Sequence, residues 1–301
     1  MKIIVIAALL ASNSVLGHVL EWKLKASAYI KPEYSPQEKL DFRRAIYQDN
    51  LKAIKKLVKF KTFKNEYIGD FCHMTALHLA IIHKKFKIFK YFLKKIGDPN
   101  PALDERCGEI TGVHIAVKEN AWDILLHYMK ILPKRHKNPR DLNGNTPIHL
   151  GTQLGRIDMV KYLSRQVENF NVKNNFGEVP LHLAVRFQRL ELVKFFAASS
   201  PRVNYTSLAL DTPIHEAARV GNLEIVKFLH TRDKQLMYVN IWCDTPLHYA
   251  AEVSLPIVKF ILKNVPDPKE AIQIRNNRNL TALDVACKAE QIEICQFLEN
   301  T

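Results

Sequence analysis

The stretch Thr245-Pro246-Leu247-His248-Tyr249-Ala250 decides the fold, because it is one of six copies of a single phrase. The others are Thr75-Ala-Leu-His78-Leu-Ala80, Thr111-Gly-Val-His114-Ile-Ala116, Thr146-Pro-Ile-His149-Leu-Gly151, Val179-Pro-Leu-His182-Leu-Ala184 and Thr212-Pro-Ile-His215-Glu-Ala217. A seventh version, Thr281-Ala-Leu-Asp284-Val-Ala286, closes the series. Successive starts lie 36, 35, 33, 33, 33 and 36 residues apart. Such a period marks units that stack along an axis, each contacting its neighbours, rather than one large core.

Each position in the phrase has a chemical reason to begin a helix. Threonine offers an oxygen to the unpaired amides of a first turn, and proline at the next position gives up an N–H that no bond needs. The small sixth residue lets neighbouring helices approach closely. Four residues further comes a turn, held by Gly155 and Gly221 in two units, where positive φ costs glycine least. Asn120, Gln188 and Glu290 fill that place elsewhere. A second helix follows, with Leu223, Ile225, Val226, Phe228 and Leu229 forming an apolar stripe at helical spacing. Short polar loops such as Asp141–Asn145 and Asn174–Glu178 then favour β-turns.

The phrase and its register resemble the ankyrin repeat from about Leu40 to the C-terminus. The resemblance implies an all-α solenoid of helix-turn-helix units with short β-hairpin finger loops. Repeats are expected to start near residues 40, 75, 111, 146, 179, 212, 245 and 281, in one structural domain over 40–301 preceded by a cap segment over 18–39. Leu40 to Val58 reads as a degenerate first repeat. Arg43 and Asp284 replace the phrase histidine in the end units, as capping repeats with a face turned to water would require. The resemblance also implies that the histidines bond the Thr hydroxyl and nearby backbone. A shared metal ion is excluded on distance, because stacked helices lie roughly 8–10 Å apart and zinc needs nitrogens at about 2.0–2.1 Å.

The N-terminus carries a second signal. Met1-Lys2, the apolar run Ile3 to Ala11 and the small residues up to Gly17 have the layout of a secretory signal peptide over 1–17, with cleavage before His18 and Ser14 as an alternative site. The run is too short for a membrane span, which needs about 20 apolar residues. On that reading Asn204 and Asn279, both in N-x-Thr sequons, are candidate glycosylation sites. The five cysteines are odd in number and include no C-x-x-C pair, so free thiols are expected ahead of disulfides.

The net charge of +14 is concentrated in the N-terminal third. Residues 18–100 hold 18 Lys and Arg against 8 Asp and Glu, whereas 201–301 hold 11 against 12. A solvated helix face accounts for such lysines. Attraction to an acidic protein, anionic lipid or nucleic acid is the sharper reading, and an acidic protein fits the resemblance best, with nucleic acid disfavoured.

The chain contains no P-loop, G-x-G-x-x-G, H-E-x-x-H or G-x-S-x-G motif, and only 10 glycines. The expectation is a monomeric, non-enzymatic protein with no cofactor, no metal and no small-molecule substrate. In the resembling family a partner lies against finger tips and inner helices. Counting from the phrase places Phe176, Arg186, Phe187, Leu208, Arg219 and Trp242 there, and aromatic and arginine side chains are favoured interface anchors. The expected function is a secreted protein-binding array, an effector or a component resembling latrotoxin-type venom arrays. The alternative is an intracellular scaffold or inhibitor resembling IκB-type regulators.

Overall fold

The computed structural model describes residues 35–58, 74–95 and 109–301. The signal-peptide layout, Cys72, Cys107 and the lysines at 59, 61 and 64 lie outside the described residues. The chain divides into two compact units, Met1–Gly97 and Asp98–Thr301.

In the first unit, α1 (Pro36–Tyr47) pairs with α2 (Leu51–Leu57), and α3 (Ala76–Ile82) with α4 (Phe86–Leu93). Helix α1 begins at Pro36 under a full capping box between Ser35 and Glu38. Phe42, Ile46, Ile54, Leu77, Ile88, Phe89 and Phe92 form the unit's core, each with no exposed surface.

The second unit contains the pairs α5 (Gly112–Lys118) and α6 (Trp122–Ile131), α7 (Pro147–Gln153) and α8 (Ile157–Ser164), and α9 (Pro180–Arg186) and α10 (Leu190–Ser199). They are followed by α11 (Pro213–Arg219) and α12 (Leu223–Arg232), then α13 (Pro246–Val253) and α14 (Leu255–Asn264). A short helix, α15 (Pro268–Gln273), precedes the last pair, α16 (Ala282–Lys288) and α17 (Ile292–Glu299). First helices pack on first helices in chain order from α5 to α13 and on to α16, so this unit is a helical solenoid. The small sixth residue is what permits that packing. A Cβ added at Gly151 would come within 2.9 Å of Val160 and 3.3 Å of Val117.

The phrase histidine links one repeat to the next. In each complete copy the backbone N–H of the capping residue donates to the histidine Nδ1, at 3.1 Å for Thr75–His78 and 3.2 Å for Thr146–His149. Val179 lacks an oxygen and keeps only this half of the cap, at 3.2 Å from His182. Because Nδ1 accepts, the ring proton sits on Nε2, which donates to a carbonyl just ahead of the next phrase. His114 reaches Asn145, His149 reaches Glu178 and His182 reaches Asp211, each at 3.1 Å. His215 reaches Asp244 at 3.3 Å, and His248 reaches Leu280 at 3.2 Å. Asp284 stands in for histidine in the final unit, accepting from the Thr281 amide at 2.9 Å.

The turn position adopts the left-handed backbone expected of it. Gly155, Gly221, Asn120, Gln188 and Glu290 all have φ between 53° and 71°. Ser254 does not, because α13 runs one residue longer than its counterparts and Ser254 caps α14 in an extended conformation instead. The fingers close as hydrogen-bonded turns, and no residue between 134 and 301 is in a strand.

Where the sequence favours free thiols over disulfides, the last repeat departs from it: Cys287 on α16 and Cys295 on α17 form a disulfide, with their Cα atoms 5.2 Å apart. The two positions lie eight residues apart on antiparallel neighbours, and the tight helix-turn-helix brings them together. Cys243, at positive φ in a finger, is a free thiol.

Candidate partner-binding groove

Each finger is held at its base by the same turn. The Asn174 amide donates to the Glu178 carbonyl at 2.9 Å, Ser207 to Asp211 at 3.0 Å and Asn240 to Asp244 at 3.1 Å. The tips are tied in series: Asn175 N–H donates to Asn143, Leu208 to Phe176, Ile241 to Ala209 and Asn277 to Trp242, at 2.8 to 3.0 Å. A continuous backbone rail therefore fixes Phe176, Leu208 and Trp242 in register, while α9 and α11 carry Arg186 and Arg219 in their last turns. Gly177 is required in this rail. It sits at φ +74°, and a Cβ added there would lie 2.6 Å from the Leu208 amide nitrogen.

Between the fingers and the first helices lies a cavity of about 440 Å³. Phe176, Arg186, Phe187, Leu208 and Arg219 all line it, so five of the six residues singled out from the sequence converge. Trp242 does not line it and stands one finger further along, 48% exposed. Phe176, Phe187 and Leu208 remain 56, 37 and 71% exposed, so the finger aromatics are not consumed by packing on one another.

The two arginines have roles that local sequence does not reveal. Arg186 donates to the Glu178 carboxylate and, at 2.6 Å, to Glu216, whose second oxygen accepts from Arg219. Glu178 and Glu216 are buried. Burial works against ionising Glu216, but the bonds from Arg186 and Arg219 outweigh it and hold the carboxyl below its ordinary range. Burial likewise opposes the Arg186 charge, and the bonds to Glu216 and Glu178 reverse that and raise its pKa. Asn174 Nδ2 donates to Glu178 at 3.1 Å. Next to this network, burial raises Asp211, which accepts from Asn240 Nδ2 at 2.9 Å. Tyr249 is pushed up to about 12, by burial first and then by Asp211 and Asp244; it accepts from the same Asn240 at 3.0 Å. Arg219 also lies over the Tyr249 ring, 5.9 Å from its centroid. The floor of the groove is thus a set of charges fixed by one another, with an apolar rim.

The two sequons differ in accessibility. Asn204 is half-buried, and its side-chain nitrogen, the atom a glycan would occupy, donates to the Tyr238 hydroxyl at 2.9 Å. Asn279 is exposed at the tip of the last finger, at φ 60°. Among the described residues, no helix is long and apolar enough to cross a membrane.

A search for similar curated proteins finds no match. A family model described as Ankyrin repeats (3 copies) matches residues 113–207, 159–240 and 214–300. These ranges span most of the second unit, including the histidine ladder, the finger rail and the groove. The chain therefore belongs to the ankyrin-repeat family, whose arrays are protein–protein interaction modules.

Proposed function

We propose that this protein is a secreted, non-catalytic ankyrin array that binds a partner protein in the groove bounded by Phe176, Phe187 and Leu208. The observation that carries the reading is the combination of an exposed apolar rim with a charged floor whose groups already satisfy one another. Covering such a floor leaves no carboxylate without a counter-charge, because Glu178 and Glu216 keep their arginine partners when water leaves. Large apolar groups gathered on an exposed face mark interaction sites. Secretion is supported by the leader layout of residues 1–17 and by the Cys287–Cys295 disulfide, since such bonds persist in oxidising compartments.

Two experiments test the two halves. Affinity capture with the wild-type array and with a Phe176→Ala/Phe187→Ala variant should enrich a protein that the variant loses, while circular dichroism of the two arrays coincides. N-terminal sequencing of the exported protein should give a mature start near His18. Retention of Met1 in the cytosol would instead favour the intracellular scaffold.

A further inference from the structure

The first unit carries a surface that the groove does not explain. The described stretches 51–58 and 74–95 contain no Asp, Glu or Arg, and apart from His78 and His83 their basic residues are all lysine. Lys52, Lys55 and Lys56 share the outward face of α2, and Lys87, Lys90 and Lys94 that of α4 or its C-cap; all six are exposed. Lys55 reaches across from α2 to lie 6.0 Å from the ring centroid of Tyr91 on α4, which shows that the two lysine faces adjoin. Ile54, Ile88, Phe89 and Phe92 of these helices are fully buried, and Leu51, Leu57, Phe86 and Leu93 are half-buried. The acidic residues of this unit that are described, Glu38, Asp41 and Asp49, belong to α1 and the turn after it.

We propose that this lysine face docks the protein on an anionic phospholipid bilayer, by charge and without insertion. Lysine is a hydrated point charge on a flexible stem, suited to a fluid layer of phosphates, whereas fixed carboxylates on a protein favour the planar fork of arginine. Protein interfaces are depleted in lysine and enriched in arginine, the reverse of this face. Single-stranded nucleic acid needs open aromatic platforms. Here Phe86 and Tyr91 are only partly exposed, with Lys90 at 5.6 Å over Phe86 and Lys55 over Tyr91. No large apolar side chain stands out from the lysines to enter a hydrocarbon layer, so attachment is electrostatic. It gains roughly fivefold in affinity per lysine near the surface and is screened over about 8 Å at physiological salt.

The test is co-sedimentation of the full chain with phosphatidylserine-containing vesicles and with pure phosphatidylcholine vesicles, beside competition by duplex DNA and by polyglutamate. The expected result is binding to the anionic vesicles alone, reversed by salt. A Lys52→Glu/Lys55→Glu/Lys87→Glu/Lys90→Glu variant should bind at least about tenfold more weakly. If charge reversal disturbs folding, Lys55→Gln/Lys90→Gln with an unchanged dichroism spectrum should still weaken binding several-fold. Equal binding to neutral vesicles, no binding at low salt, full binding by the glutamine variant, or a preference for DNA or polyglutamate over the anionic vesicles would each overturn the proposal.

Discussion

At the scale of single residues, the phrase is scaffold and its neighbours carry the individuality of the chain. Thr, Pro, His and the small residue are spent on capping, on the link to the next repeat and on close helix packing. Among the described residues, nine non-glycine residues take positive φ, which is uncommon for L side chains. Glu290 does so at φ 57° in an exposed turn. Glu290→Gly should therefore raise stability by about 1 kcal/mol, and Gly221→Ala should lower it by a similar amount. At Gly221 a Cβ meets nothing nearer than Val253 Cγ2 at 3.8 Å, so backbone strain alone sets that cost. Urea midpoints of the two variants moving in the same direction would contradict the assignment. The turn positions themselves were readable from the sequence, because they sit at a fixed count from the phrase. The arginine network was not: Arg186 meets carboxylates eight and thirty residues away, a convergence set by stacking.

At the scale of elements, the helix pairs were legible because each copy repeats the same cap, stripe and turn. Helix α15 escaped notice because it lies in the longer spacing before the last unit and belongs to no repeat position. Its signal was present in Asp267, whose carboxylate accepts from the Glu270 amide at 3.0 Å, followed by Pro268 at the first turn. The Cys287–Cys295 bridge likewise depends on the pairing of α16 with α17, which cysteine counting does not reveal. Closing this short loop should contribute about 2–3 kcal/mol to the final repeat. Cys287→Ser/Cys295→Ser should accelerate hydrogen exchange in α16 and α17 while leaving α7 to α11 unchanged. Equal protection in the two proteins would show that the bridge has no such role.

At the scale of the whole molecule, the histidine ladder ties local chemistry to global stability. Burial lowers the pKa of His114, His149, His182, His215 and His248, and for His149 and His215 to about 4. In the unfolded chain the same rings take a proton near 6.5, so the unfolded state binds more protons between the two values. Stability is therefore complete above about pH 6.5, falls as pH descends towards about 4, and loses roughly 3 kcal/mol for each of His149 and His215. Urea midpoints should drop steeply between about pH 7 and pH 4.5; a flat profile would contradict the neutral, Nε2-protonated ladder.

Function also separates at this scale. Scaffold residues are buried and serve every repeat alike, whereas Phe176, Phe187 and Leu208 are exposed and differ from their counterparts in neighbouring units. Their positions were legible by counting from the phrase, but the cavity between them was not, because its depth depends on how α9 and α11 stack. The most direct test is titration calorimetry of the captured partner against the wild-type array and the Phe176→Ala/Phe187→Ala variant, with the melting temperature of each recorded. The groove account predicts a loss of more than about 1 kcal/mol in binding with no change in melting temperature. Unchanged affinity, or a loss matched by a falling melting temperature, would contradict it.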